Sequence, residues 1–80
     1  TKIKFDIPSR NLPLQGGDKE GVLLIIYDLL GREVTTLVNE QLRPGSYSVD
    51  WDGTGFASGV YFYSLVTNDF VETKRMVLIK

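Results

Sequence analysis

The 80-residue sequence contains no cysteine and no histidine. This absence excludes thiolate nucleophiles, disulfides, zinc sites built from these two residue types, and every catalytic triad that needs histidine. Nine basic and ten acidic residues give a formal net charge of -1, which lacks the basic excess typical of nucleic-acid binding. We therefore expect no enzymatic activity, no catalytic residue, no cofactor, no resident metal and no nucleic-acid partner.

Long apolar runs are also missing. No segment approaches the roughly 20 apolar residues that span a bilayer, and the opening Thr1–Lys4 has no signal-peptide hydrophobic region. The chain has the length of one domain, and neither a repeat nor a linker divides it. We predict one domain over residues 1–80 and no membrane span.

Alternating apolar and polar residues predict two amphipathic strands. Ile3–Ile7 has this period of two and ends at Pro8, and Ser46–Trp51 has it again after Arg43-Pro44-Gly45. Between them, Ser9–Gly21 is rich in Gly, Pro, Asn and Asp and predicts a long loop.

Four further segments are rich in β-branched and aromatic residues and too short for convincing helices. Leu29–Arg32 supplies a turn between the first two segments, and Asn68-Asp69 supplies one between the last two. We predict that the third segment is a central strand. The segments are Val22–Asp28, Glu33–Val38, Val60–Thr67 and Phe70–Ile79. The fold class predicted is all-β, an antiparallel sandwich of six to seven strands.

Three blocks of sequence together resemble a known family. They are TKIKFDIP at the start, YDLLGREV from Tyr27, and SGVYFY from Ser58 continuing to the terminal KRMVLIK from Lys74. In order and spacing they are similar to the C-terminal sorting domain, type A, of the type IX (Por) secretion system. The loop from Pro8 to Gly21 is longer than the family's short turn.

The resemblance implies a targeting function. It implies that the domain directs an upstream cargo protein through the periplasm to the outer cell surface or the medium, with the outer-membrane secretion machinery and a sortase as partners. The fold-defining motif it implies consists of Tyr27, Asp28, Gly31, Arg32, Gly45, Gly59, Val60 and Tyr61. The export signal it implies consists of Lys74, Arg75, Met76, Val77, Leu78, Ile79 and Lys80.

The region from Trp51 to Tyr63 is also similar to the immunoglobulin-like domain of the flagellar hook-capping protein. This supports an immunoglobulin-like or fibronectin-III-like sandwich and leaves a structural cap as a further possible function. The main alternative function is a carbohydrate-binding or adhesive accessory module of a secreted enzyme. The terminal charges also have a plain structural explanation, because charged edge strands discourage aggregation, and we expect a monomer.

An acidic cluster offers a possible calcium site. Asp50, Asp52 and Thr54 present alternating oxygens beside two glycines, yet calcium takes six to eight oxygen ligands. Asp52-Gly53 alone suffices for a tight turn, and we favour that interpretation.

Four aromatic residues, Tyr47, Trp51, Tyr61 and Tyr63, allow either a sugar-binding platform or a packed core. Alternation places Tyr47 and Trp51 on one face, which favours the core. Leu23 and Ile25 make the second face of their strand apolar. Either Leu12–Leu14 folds over them or they meet another domain or chain, and we expect the internal cover.

Overall fold

The computed structural model describes residues 1–8, 20–68 and 70–79, and within them the chain forms six strands and no helix. The strands are β1 (Lys2–Ile7), β2 (Glu20–Tyr27), β3 (Glu33–Leu42), β4 (Gly45–Asp50), β5 (Gly59–Val66) and β6 (Val71–Leu78). The described part of the chain has no helix long and apolar enough to span a membrane. The all-β prediction is confirmed.

The strands form two antiparallel sheets. One contains β1 and β4, and the other has the order β3-β2-β5-β6. The two predicted hairpins, β2 with β3 and β5 with β6, are both present, and β5 lies inside its sheet as predicted. β2 begins at Glu20, so the prediction that Glu20 and Gly21 belong to the loop is wrong. These two residues pair with Leu42 and Gln41, which extends β3 past its predicted end at Val38. Two register shifts interrupt this pairing, between Leu24 and Ile25 and between Ile26 and Tyr27.

The two sheets bury one apolar core between them, which confirms the predicted sandwich. Alternate residues point inward, as the period of two requires. The buried residues are Ile3, Phe5, Ile7, Val22, Leu24, Ile26, Val38, Trp51, Tyr61, Leu65 and Leu78. Each large aliphatic side chain among them contributes about 1.5–3 kcal/mol by leaving water.

The outer face of β2 is apolar as well. Leu23 and Ile25 are half-buried there. Their predicted cover, Leu12–Leu14, lies outside the described residues.

Candidate functional site

The four aromatic residues weighed above as a sugar platform or a packed core lie in and against the core. Trp51 and Tyr61 are buried, and their rings meet edge-on with centroids 5.1 Å apart. Tyr47 stacks on Phe5 at 5.5 Å, and Tyr63 is half-buried against the same core. The core interpretation is confirmed, so these rings do not form one exposed sugar-binding surface.

The acidic segment after β4 forms a turn. The Thr54 backbone N–H donates to Oδ1 of Asp52 at 3.0 Å, which is the local bond by which aspartate stabilises a turn. Among the residues that the structure describes, no three acidic side chains gather around a common point. These contacts support the turn interpretation.

Asp28 organises the turn between β2 and β3. Its Oδ1 accepts the backbone N–H groups of Leu30 and Arg32, both at 2.9 Å. Its Oδ2 accepts a hydrogen bond from Nε of Arg32 at 2.8 Å. Gly31 has a φ of 83°, which glycine adopts without strain. The predicted motif residues Asp28, Gly31 and Arg32 therefore form one hydrogen-bonded turn.

The hydrogen bond from the Arg32 backbone N–H is the main cause that lowers the pKa of Asp28 below its ordinary 3.8. Desolvation opposes this lowering of the pKa, and the Arg32 side chain and the Leu30 backbone N–H add to it. Since the charged carboxylate is the form that the turn stabilises, the turn holds best when Asp28 is ionised.

Two further motif glycines, Gly45 and Gly59, begin β4 and β5 with φ of 151° and 153°. After Gly59, Val60 is half-buried and Tyr61 turns into the core. The Tyr61 hydroxyl donates to the Ala57 carbonyl at 2.7 Å, so it satisfies its one polar group within the loop that precedes its own strand. Tyr27, the remaining motif residue, ends β2 opposite Phe62. All the motif residues except Gly45 thus lie at one end of the four-stranded sheet, where the turn after β2 meets the start of β5, and Gly45 belongs to the other sheet.

The predicted export segment divides into two sets of side chains. Met76 is half-buried opposite Tyr61, and Leu78 is buried opposite Gly59. The residues that alternate with them, Arg75, Val77 and Ile79, are exposed on the other face. The exposed fraction is 50% for Val77 and 82% for Ile79. Lys80 lies outside the described residues.

Lys74 lies on the inner side of β6 at the rim of the sandwich. Its Nζ is 3.1 Å from Oε1 of Glu72, and this hydrogen bond is the main cause that raises the pKa of Lys74 above 10.5. Both side chains are about half exposed, so the pair contributes little to stability.

Leu78 is anchored by a contact that the sequence did not signal. A Cβ built on Gly53 would lie 2.7 Å from both Cδ atoms of Leu78, closer than atoms pack. A side chain at position 53 would force the Leu78 side chain to move. The end of the predicted export segment is therefore held by the turn that follows β4.

The family model of the secretion system C-terminal sorting domain matches residues 3–80. The chain therefore belongs to the C-terminal sorting domains of the type IX secretion system. A sorting domain is a targeting signal that implies interaction with that secretion machinery and export to the cell surface or the medium. Neither the curated proteins nor the solved structures contain a match to the chain.

Proposed function

We propose that residues 1–80 form one non-catalytic, monomeric unit that directs a cargo protein fused ahead of it across the outer membrane. The cargo crosses the periplasm, the outer-membrane machinery recognises the sorting domain, and a sortase then acts on it as a substrate. The domain itself performs no chemistry. The family match over residues 3–80 supports the targeting function.

The observation that carries the recognition step is the arrangement of the last strand. Leu78 lies in the core and fixes the strand, while Arg75, Val77 and Ile79 present an exposed row beside it. Exposed apolar side chains in a row are a feature of surfaces that bind proteins. The segment thus combines a structural residue with a row that a receptor contacts.

Deleting the segment would not test this idea, because the deletion also removes Leu78 from the core. Exchange of exposed side chains is the better test. In a reporter fused ahead of Thr1, Val77→Thr with Ile79→Thr removes apolar surface and keeps the fold. We expect reporter at the surface to fall by about tenfold or more, which corresponds to about 1.4 kcal/mol of lost binding.

The matched control exchanges the exposed pair Leu29 and Leu30, which lie in the turn at the same end of the sheet. Leu29→Thr with Leu30→Thr makes the same chemical change away from β6 and is expected to leave export unchanged. Equal loss in both variants, with both domains folded, would argue against recognition of the C-terminal segment.

Carbohydrate binding remains the second candidate, but the burial of Trp51 and Tyr61 removes the residues best suited to it.

A further inference from the structure

β6 is an edge strand whose outward backbone groups can be identified. In the hairpin that joins β5 to β6, the Thr67 N–H donates to the Phe70 carbonyl at 2.9 Å. Hydrogen-bonded and non-hydrogen-bonded pairs alternate along an antiparallel ladder, so the next pair, Val66 with Val71, is not hydrogen-bonded. The N–H and C=O groups of Val71 therefore point away from β5.

The same alternation gives the direction of the backbone N–H and C=O groups in the rest of β6. Thr73, Arg75 and Val77 follow Val71 at intervals of two, so their backbone groups also face the open edge. The contact between the Ser64 and Thr73 hydroxyls at 2.9 Å agrees, since side chains approach most closely in non-hydrogen-bonded pairs. Within the described residues, β6 has no second neighbour in its sheet.

The other edges are shorter or less regular. β1 and β4 have six residues each, and the pairing of β3 is broken by two register shifts. β6 has eight residues, an unbroken register, and neither proline nor glycine. Irregular or short edges resist the addition of another strand, and a long regular edge accepts one.

We propose that the export partner recognises β6 by adding an extended strand of its own to this open edge. This inference rests on the proposed sorting function and specifies its mode of recognition. Backbone hydrogen bonds from Val71, Thr73, Arg75 and Val77 supply the pairing. The exposed side chains next to the edge set the chemistry of the partner strand: apolar residues opposite Val71 and Val77, which are 65% and 50% exposed, and an acidic residue opposite Arg75.

A second copy of the domain fits this edge poorly. An antiparallel pair of two β6 strands that uses nearly their full length sets Lys74 opposite its own counterpart, or Arg75 opposite its own. Like charges directly opposite each other destabilise a strand pair. The edge therefore favours a partner of different sequence.

Proline tests the backbone contact directly, because it lacks the N–H group and blocks an added strand. In the reporter fusion, Arg75→Pro removes an outward N–H that β5 does not use. We expect surface reporter to fall by about tenfold or more. Arg75→Ala loses the same charge and its proposed acidic partner but keeps the N–H, so we expect a fall of about threefold. The additional loss in Arg75→Pro beyond Arg75→Ala measures the backbone contact.

Ser48→Pro is the matched control. Thr1 and Trp51 exchange both backbone hydrogen bonds, at 3.0 and 2.7 Å, so the Ser48 N–H faces the open edge of β4 by the same alternation. This variant carries the same change at another edge and should be exported normally. Melting of each purified domain establishes that it is folded, and Thr73→Pro replaces Arg75→Pro if the latter fails to fold.

Normal export of folded Arg75→Pro would overturn the proposal, and so would equal loss with Ser48→Pro. Failure of both β6 proline variants to fold would also overturn it, because outward N–H groups tolerate proline. A dimer of the purified domain that Arg75→Pro dissociates and Ser48→Pro does not would make a second copy the occupant. Loss of translocon-dependent export by the unaltered domain would instead contradict the sorting function itself.

Discussion

Leu78 packs directly against the backbone of Gly53, where a Cβ would lie 2.7 Å from both of its Cδ atoms. This contact joins the last strand to the turn after β4 and holds the C-terminal segment in the core. Because Leu78 faces the core, Val77 and Ile79 are left exposed to solvent.

Gly53→Ala should therefore displace Leu78 and destabilise the domain. We expect the free energy of unfolding in urea to fall by about 1–3 kcal/mol, the usual cost of overpacking. Gly21→Ala is the control, because a Cβ at Gly21 meets nothing within 4 Å. Leu78→Ala should lower the free energy of unfolding by about 2–5 kcal/mol in the original domain. The same substitution should cost clearly less in a domain that already carries Gly53→Ala. Strict additivity of the two substitutions would contradict the contact.

Tyr61→Phe should cost about 0.5–1.5 kcal/mol of unfolding free energy, because it removes the hydroxyl that donates to Ala57 and keeps the buried ring. Tyr47→Phe makes the same change at an exposed hydrogen bond to the Arg43 carbonyl. It should cost measurably less in parallel urea titrations. Equal costs would show that burial of the Tyr61 hydroxyl adds nothing.

Asp28→Asn should reduce the dependence of the free energy of unfolding on pH in the acid range. The pKa of Asp28 is lower in the folded chain than its ordinary 3.8, so the charged carboxylate favours folding. That contribution is complete above 3.8 and is lost as the pH falls through the lowered pKa. The original domain should thus exceed Asp28→Asn in stability at neutral pH, and the gap should narrow in acid. Parallel curves of unfolding free energy against pH would contradict this.

The amphipathic strands could be predicted from the sequence because apolar and polar residues alternate along them, and this alternation alone indicates which side chains face the core. In β1 and β4 the residues that alternation places inward are the ones that pack in the core. The division of the C-terminal segment could not be predicted in the same way. Alternation separates Val77 from Leu78, but contacts with Gly53 and Gly59, distant in sequence, decide which of them is buried. The register shifts between β2 and β3 likewise depend on pairing between strands.

The function that we propose for this domain is sorting of a cargo through type IX secretion. The most direct measurement is surface display of a reporter fused ahead of Thr1, in a bacterium with the type IX translocon and in an isogenic strain without it. We expect reporter at the surface only when the translocon is present. Equal display in both strains, or retention of a fusion whose sorting domain is folded in both, would contradict it.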